Sequence, residues 1–283
     1  MTETAVLRHF NRTWSQRVGA LDDSFLGLGL PLGAARLVFE VGTAGASVRD
    51  LRERLDLDSG YLSRLLRTLT DSGLVSVAPD PADGRRRLVT LTARGRRTHA
   101  TLEERSERLA ADLVAPLTER QRGRLVEALA GADLLIRAAT VRLREVDPRS
   151  PEALDAVGRY VAELDRRFPD GFDPGEPDHE GTFVLATSDG APVAYGGVRP
   201  LDDGSGEIKR MWVDDAWRGA GLGSRMLRHL EALAARLGHR RVVLDTNPTL
   251  VEAIAMYERA GYSPIPRYND NPYAGAWFEK VLA

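Results

Sequence analysis

The pattern of apolar residues changes near residue 139 of this 283-residue chain. Before that point apolar side chains recur at helical spacing. After it, short alternating runs that indicate strands are interleaved with helical segments. A chain of this length is expected to hold about two domains, and either half is long enough to bury its own core. We therefore predict two domains, residues 1–138 and residues 139–283.

Composition narrows the class of protein. Hydrophobic residues make up 43% of the chain and charged residues 28%, which is the balance of a soluble protein. No apolar run approaches the roughly 20 residues that span a bilayer, and the N-terminal stretch lacks the pattern of a signal peptide. The absence of cysteine excludes disulfides, thiolate metal sites and cysteine nucleophiles. These features predict a cytoplasmic protein.

The net charge of −2 conceals an uneven distribution. Residues 1–138 carry 21 basic and 18 acidic side chains, whereas residues 139–283 carry 18 and 23. Within the first half, residues 59–97 hold eight arginines and three aspartates. Such a patch is typical of a surface that binds a polyanion, although a solvated charged face would show the same excess.

The first half predicts two short helices joined by a tight turn. Residues 46–57 begin with Ser47 as N-cap and Asp50 three residues later, and residues 58–75 form an apolar stripe that ends at Gly73. This arrangement is typical of a helix-turn-helix, whose second helix enters the major groove of DNA. The predicted DNA contacts on that helix are Ser59, Tyr61, Ser63, Arg64 and Arg67.

A basic hairpin is predicted directly after this helix. Two β-prone runs, 74–78 and 87–91, flank a Pro/Asp/Gly turn that leads into three consecutive arginines. Adjacent arginines repel one another unless an anion is near, so Arg85 and Arg86 are predicted to contact the DNA backbone or the minor groove. A winged helix used only for protein contacts is the alternative.

The run "DPADGRRRLVTLTARGR" (80–96), which follows a helix ending "LTDSGLV", resembles the MarR family of winged-helix regulators. The similarity covers roughly residues 5–138. It implies a mainly α winged helix-turn-helix domain that binds double-stranded DNA as a homodimer through helices at both ends of the domain. Residues 98–137 fit that picture as two helices broken at Pro116.

The second half predicts alternating strands and helices. The predicted strands are 140–146, 182–200 as a hairpin about an Asp-Gly turn, 206–215, 240–247 and 275–282. The predicted helices are 150–168, 224–238 and 249–262.

Three glycines lie at alternate positions of "WRGAGLGSRM" (217–226), between a predicted strand and a predicted helix. Free backbone N–H groups at a helix N-terminus bind anions, and glycine lets the backbone approach phosphate oxygens closely. A Rossmann fingerprint requires G-x-G-x-x-G, and a P-loop requires Gly-Lys-Ser/Thr; neither fits this spacing. A strand-to-helix turn without a ligand remains the alternative.

The pattern that fits is Arg/Gln-x-x-Gly-x-Gly, and residues 139–283 resemble the GNAT superfamily of acetyl-CoA-dependent N-acetyltransferases. The resemblance implies an α/β domain with a mixed, largely antiparallel sheet. It also implies acetyl-CoA as co-substrate between splayed strands at 206–214 and 240–246, without a metal. It assigns acetyl-CoA binding to Met211, Trp212, Val213, Arg218, Gly219, Ala220, Gly221, Leu222, Gly223, Ser224, Asn247 and Tyr257.

Amide formation from a thioester requires a neutral amine, whereas an alkylamine has a pKa near 10, so a general base is needed. Glu207 lies eleven residues before Arg218, where several GNAT enzymes carry their catalytic glutamate. The resemblance assigns proton donation to the CoA sulfur to Tyr257 and oxyanion stabilisation to the Val213 N–H. The alternatives are a solvated strand-end glutamate and a core tyrosine.

The acceptor is predicted to bind near the loop 265–277, because such polar loops between strands often carry binding residues. The candidate acceptor contacts are Arg210, Tyr268, Asp270 and Tyr273. The sequence thus predicts an N-acetyltransferase for the amine of a small molecule or amino acid, fused to a MarR-type transcriptional regulator.

Two other functions remain open at this point. The second half would serve as a sensor of acetyl-CoA or a metabolite with little turnover. Alternatively, it would acetylate protein lysines, for which an acidic groove is expected. The acidic candidates for that groove are Glu176, Asp178, Glu180 and Asp270.

Overall fold

The computed structural model describes residues 2–81, 83–169, 171–175 and 179–282. The chain forms two compact units, Met1–Leu125 and Val126–Ala283. The division falls within one helix, Glu119–Thr140. The domain boundary at residues 138 and 139 therefore stays a prediction.

The first unit is a helical domain with a small antiparallel sheet of order β1-β3-β2. Its helices are α1 (Glu3–Arg17), α2 (Leu32–Val41), α3 (Val48–Leu55), α4 (Ser59–Asp71), α5 (Ala93–Val114) and the first part of α6 (Glu119–Thr140). Its strands are β1 (Ala46–Ser47), β2 (Val75–Pro79) and β3 (Arg87–Leu91). Leucines of α3 and α4 pack with α2 and the sheet in one buried core.

Local capping fixes the two helices of the helix-turn-helix. The Ser47 hydroxyl accepts from the Asp50 N–H at 3.1 Å, and the Asp58 carboxylate accepts from the Tyr61 N–H at 2.8 Å. Gly73 follows α4 with φ of +68°, a conformation that glycine adopts without strain. The predicted N-cap at Ser47 and the predicted helix end at Gly73 are confirmed.

The junction between β3 and α5 explains the Leu-Thr-x-x-Gly pattern of the sequence. The Thr92 hydroxyl donates to the Gly73 carbonyl at 2.6 Å and accepts from the Gly95 N–H at 3.0 Å, which ties the first turn of α5 to the end of α4. A Cβ at Gly95 would overlap the carbonyl oxygen of Leu74. The close approach of these two segments therefore requires glycine at position 95.

We expect Gly95→Ala to lower the free energy of unfolding of the first unit by about 1–3 kcal/mol, because the backbone must shift to admit the methyl group. The matched control is Gly123→Ala on α6, where a Cβ meets nothing within 4 Å. That change should stabilise the helix by about 0.5–1 kcal/mol, because alanine is the better helix former. Urea unfolding followed by circular dichroism measures both, and equal effects of the two variants would contradict the packing argument.

The second unit is an α/β domain around a seven-stranded sheet of order β4-β5-β6-β7-β8-β10-β9. Its strands are β4 (Leu143–Val146), β5 (Thr182–Ser188), β6 (Ala191–Pro200), β7 (Gly206–Val213), β8 (Arg241–Thr246), β9 (Ser263–Pro264) and β10 (Ala276–Val281). Its helices are α7 (Pro151–Arg167), α8 (Leu222–Arg236) and α9 (Val251–Arg259). Among the pairings described, only β7 and β8 run parallel, which confirms a mixed, largely antiparallel sheet.

The strand predicted at 140–146 begins at Leu143, because α6 continues to Thr140. The helix predicted at 249–262, with Gly261 as its end, covers Val251–Arg259, and Gly261 follows its C-cap with a φ of +86°. Within the described part of the chain, no helix combines the length and the apolar character needed to cross a membrane.

The sheet of the second unit is covered on both faces. Leucines of α8 and Tyr257 of α9 form a core with one face of β5, β6 and β8. Ala153 and Ala156 of α7 form a smaller core on the other face with Phe183, Tyr195 and Trp212. We call these two sides the α8 face and the α7 face.

Candidate active site and nucleic-acid interface

The parallel strands β7 and β8 separate shortly after they begin. They pair only through Gly206 with Val242 and Glu207 with Val243. No further β7–β8 pair follows among the described residues, so the rest of both strands flanks a gap. This agrees with the splayed strands that the sequence predicted.

A bulge in β7 lies beside this gap. Tyr195 of β6 pairs with Trp212, but Gly197 pairs with Lys209, so β7 contains one extra residue. Arg210 lies at this point with φ of +52°, which is a strained conformation for a side chain other than glycine. The bulge changes which face of the sheet the following side chains of β7 point to, in the part of the strand that borders the gap.

The main-chain groups of Val213 point toward the gap. The Asp214 N–H donates to the Val193 carbonyl at 3.0 Å, and hydrogen-bonded positions alternate along an antiparallel pair. The N–H and C=O of Val213 are therefore directed away from β6. The carbonyl accepts from Arg218 Nη2 at 3.2 Å, and the N–H has the orientation that an oxyanion donor requires.

The three glycines have two different roles. Gly219 and Gly221 have φ of +77° and +83°, and a Cβ at either would enter open space. Gly223 instead allows close packing, because its Cβ would lie 3.3 Å from the sulfur of Met256. Gly221 is the N-cap of α8 and supplies no side chain to the first turn, so the N–H groups there have no side-chain cap.

A cavity of about 510 Å³ lies against the end of β7 and this glycine turn, and residues of α7 and α9 complete its wall. Nine of the predicted acetyl-CoA residues line it, namely Met211, Trp212, Val213, Arg218, Gly219, Gly221, Gly223, Ser224 and Tyr257. The side chain of Leu222 is instead buried in the α8 core, and Ala220 packs against that core. Asn247 does not line the cavity, because its amide donates to the Tyr273 carbonyl and its oxygen accepts from Thr249.

Tyr257 has one side in the α8 core and one in the cavity wall. Burial raises the pKa of its hydroxyl, and the nearby Tyr160 and Asp245 raise it further. The hydroxyl therefore stays protonated at neutral pH and is available as a proton donor.

Glu163 of α7 was missed by the sequence analysis. Its nearly buried carboxylate accepts from the Trp212 indole N–H at 2.8 Å and from Arg167 at 3.3 Å, and it also pairs with Arg218. The Arg218 guanidinium also pairs with Asp215, so this predicted acetyl-CoA residue has two carboxylate partners. A glutamate on the buried stripe of an amphipathic helix was the available signal.

Glu207 is completely buried rather than solvated. Arg199 donates to its Oε2 at 3.0 Å through Nε and at 2.5 Å through Nη2, and Lys209 lies 3.6 Å away. The Tyr268 hydroxyl donates to its Oε1 at 3.0 Å, and the Asn269 amide donates to the same oxygen at 3.3 Å. Both carboxylate oxygens therefore have partners.

The predicted acceptor residues are not all brought together. Tyr268 lies on Glu207, but Asp270 is exposed and pairs with Arg267. Tyr273 packs on Phe172 with ring centroids 4.8 Å apart, so it supports the loop. Glu176 and Asp178 of the predicted acidic groove lie outside the described residues.

A network missed by the sequence analysis joins this loop to β8. The Asn269 amide donates to Asp245 at 2.8 Å and its oxygen accepts from the Trp277 indole at 3.0 Å, while Asn271 donates to the other Asp245 oxygen at 2.6 Å. Across the residues with described positions, no group of three His, Asp or Glu side chains is arranged to hold a metal ion.

The predicted DNA contacts all lie on the surface of the first unit. The guanidinium of Arg64 stacks over the Tyr61 ring at 5.7 Å, and Arg86 lies 3.4 Å from Asp83 within the turn between β2 and β3. The exposed residues are Ser59, Tyr61, Ser63, Arg64, Arg67, Arg85 and Arg86. The surface of α4, which is the recognition helix, and the turn between β2 and β3, which is the wing, are therefore available to a partner.

Comparisons with known proteins match each half of the chain separately. The sequence model of the Acetyltransferase (GNAT) family matches residues 143–262, and that of the MarR family matches residues 28–86. A protein named IAA acetyltransferase from Azospirillum brasilense is 30% identical over 45% of this chain and 92% of its own length. An uncharacterised HTH-type transcriptional regulator of Bacillus subtilis (strain 168) is 32% identical over 30% of this chain, which spans about half (51%) of that regulator.

Solved structures match in the same way. An acetyltransferase of the GNAT family from Staphylococcus aureus covers 50% of this chain and 100% of its own, with 17% identity and a TM-score of 0.46. A mutant MarR from Escherichia coli complexed with operator DNA covers 44% of this chain and 91% of its own, with 23% identity and a TM-score of 0.38. On the sequence matches, this chain belongs to the GNAT family of acetyl-CoA-dependent N-acetyltransferases and carries a MarR-family winged helix-turn-helix domain in its first half.

Proposed function

We propose that the second half transfers the acetyl group of acetyl-CoA to the amine of a small molecule or amino acid, while the first half binds double-stranded DNA as a cytoplasmic homodimer. The observation that carries the enzymatic part is the cavity beside the end of β7, because both an uncapped helix N-terminus and Tyr257 line it. Its glycine turn is open where a Cβ would stand, which fits a diphosphate.

The proposed roles follow from these positions. Acetyl-CoA supplies an acetyl group activated as a thioester. The N–H groups at 219–224 bind the diphosphate, the main chain of Met211, Trp212 and Val213 binds the pantetheine arm, and the Val213 N–H stabilises the oxyanion. Tyr257 donates its proton to the leaving sulfur, since its raised pKa keeps that proton in place.

Glu207 is the proposed general base, and Tyr268 connects it to the acceptor. Because the carboxylate is buried, the amine proton moves to the Tyr268 oxygen as the hydroxyl proton of Tyr268 moves to Glu207 Oε1. Burial and the charge of Glu207 raise the pKa of Tyr268, so its hydroxyl begins in the neutral form that this relay needs.

We expect Gly221→Val to abolish the heat of acetyl-CoA binding in calorimetry, because the side chain enters the turn and a branched residue resists φ of +83°. Gly238→Val is the matched control. It follows the other end of α8, has φ of +93° and equally open surroundings, and lies outside the cavity wall. Normal binding by the Gly221 variant would count against the diphosphate site.

The exposed apolar side chains of two helices support a homodimer. On α1, Val6, Leu7, Phe10 and Trp14 are all exposed, and none of the residues of this helix is buried. On α6, Leu135 and Ile136 are also exposed. Apolar surface of this kind is expected to be covered by a second copy of the chain, which sedimentation of the purified protein would detect.

The sensor function remains the second candidate. Two assays on wild type separate the two: thiol release from acetyl-CoA with a panel of amines, and DNA affinity with and without acetyl-CoA. Thiol release that depends on an amine supports the enzyme. DNA affinity that changes with acetyl-CoA, in the absence of any release, supports the sensor.

A further inference from the structure

Arg210 and Asp245 project toward the same face of the sheet from opposite sides of the strand gap. Leu244 belongs to the α8 core, so the alternation along β8 turns Asp245 to the α7 face. Met211 packs against the α8 core and Trp212 lies in the α7 core, so the alternation along this end of β7 turns Arg210 to the α7 face. There its charge acts on Tyr160 and Tyr195. Both charged side chains therefore lie on the α7 face.

The two opposite charges do not neutralise each other. Both side chains are described, and neither takes part in an ion pair among the residues that the structure describes. The two partners of Asp245 are neutral amides, from Asn269 and Asn271. By contrast, the Glu207 carboxylate on the same face is compensated by Arg199. Neither Asp245 nor Arg210 is therefore compensated by an oppositely charged side chain among the described residues.

Asp245 is hydrogen-bonded to the loop 265–275 through Asn269 and Asn271. Its charge raises the pKa of Tyr160 and Tyr257, which line the cavity, and also that of Tyr268, which contacts Glu207. Helix α7 packs on β6 and β7. At Asp245, β8 is instead in contact with the loop, through Asn269 and Asn271. An acceptor approaching the acetyl group from the loop side would therefore meet Asp245.

The hydroxyl of Tyr195 is a polar group near Arg210 that lacks a hydrogen-bond partner among the described residues. The residue is completely buried. Burial raises its pKa to about 12, and the nearby Arg210 opposes that shift. A carboxylate bound at Arg210 would supply the acceptor that the hydroxyl lacks.

We propose that the acetyl acceptor is a zwitterionic amino acid, whose amino group lies against Asp245 and whose carboxylate lies against Arg210. The inference rests on the proposed function and names its substrate class. A ligand with a positive group and a negative group complements two separated, uncompensated charges, because its positive group meets Asp245 and its negative group meets Arg210. An amine without a carboxylate would leave Arg210 and the Tyr195 hydroxyl without partners.

The test compares L-amino acids with the matched amines that lack the carboxylate, by thiol release from acetyl-CoA at saturating acetyl-CoA. Wild type is expected to show a KM at least about tenfold lower for the amino acid of each pair, since each hydrogen bond to a charged group contributes strongly to binding. Arg210→Asn keeps a residue that tolerates positive φ and removes the charge. It should raise KM for amino acids about tenfold and leave KM for the amines unchanged.

Asp245→Asn should raise KM about tenfold for both members of each pair, because both present an amino group. Arg228→Asn on the exposed side of α8 removes an arginine outside the site and should change neither KM. For each variant, thermal unfolding reports on folding, and acetyl-CoA calorimetry reports on the acetyl-CoA site. If Arg210 had a purely structural role, its replacement would change KM equally for the amino acid and for the matched amine. The ratio of the two KM values therefore distinguishes carboxylate binding from a structural role.

Each outcome bears on one proposal. Equal KM values for the two members of the pairs in wild type, or an equal effect of Arg210→Asn on both, overturns the zwitterion inference and leaves the acetyltransferase in place. Acetylation of amines but of no amino acid also overturns the zwitterion inference and leaves the acetyltransferase in place. Failure of wild type to bind acetyl-CoA, or to acetylate any amine, removes the proposed function and the inference with it.

Discussion

Replacement of Tyr257 by phenylalanine is expected to lower kcat for acetyl transfer about a hundredfold, the scale of a lost general acid. The ring packs against Phe278 in the α8 core with centroids 6.1 Å apart, and phenylalanine preserves that packing. The substitution removes only the hydroxyl of a residue that lines the cavity. The affinity for acetyl-CoA should therefore stay within about twofold of wild type, so that the loss appears in the chemical step.

The matched control for this variant is Tyr262→Phe. The Tyr262 ring lies 5.8 Å from that of Tyr257 in the same core, but it does not line the cavity. Steady-state kinetics and acetyl-CoA calorimetry on both variants separate proton donation from packing. If the two variants lose activity equally, or if Tyr257→Phe loses none, then the hydroxyl of Tyr257 does not donate the proton.

Replacement of both Arg85 and Arg86 by glutamine should weaken DNA binding by at least about a hundredfold near 0.1 M salt. Each arginine that contacts a phosphate contributes roughly 1.5–3 kcal/mol as a charged hydrogen bond. The dependence of log K on log salt should become shallower by about 0.9 for each phosphate that the variant no longer neutralises. Both effects should appear on duplexes selected from a random library and on mixed-sequence DNA alike, because phosphate contacts carry no sequence information.

A double variant of the second unit, Arg166→Gln with Arg228→Gln, controls for net charge. Both side chains are exposed, and the variant removes the same two charges as the wing variant. Fluorescence anisotropy over a range of salt concentrations gives the affinity and the slope for each protein. A salt slope that is the same in the wing variant as in wild type would show that these arginines do not contact phosphate.

Much of the winged helix was predictable because its determinants are local. Ser47 caps α3 by accepting from the N–H of Asp50, three residues later, and Gly73 ends the next helix through its own backbone freedom. The short strands β1 and β9 gave no such signal. Each has two residues, and each exists only because a longer strand elsewhere in the chain pairs with it.

The candidate acetyl-CoA site was predictable where a backbone motif defines it. The glycine turn and the residues of β7 lie close together in the sequence, and eight of the predicted residues in these two segments line one cavity. The roles of Glu163 and Asn269 depend on partners 49 and 24 residues away, respectively. Spacing in the chain carries no information about such contacts, which is also why Asp270 and Tyr273 were selected instead.

The bulge at Arg210 changes the phase of β7. Ile208 and Trp212 are an even number of residues apart, which in a regular strand would turn them to one face, yet Ile208 packs with α8 and Trp212 with α7. The extra residue therefore lets one strand contribute a large side chain to each of two cores. A deletion of a single residue here would rotate the rest of the strand by half a turn, so the length of this segment is as constrained as its chemistry.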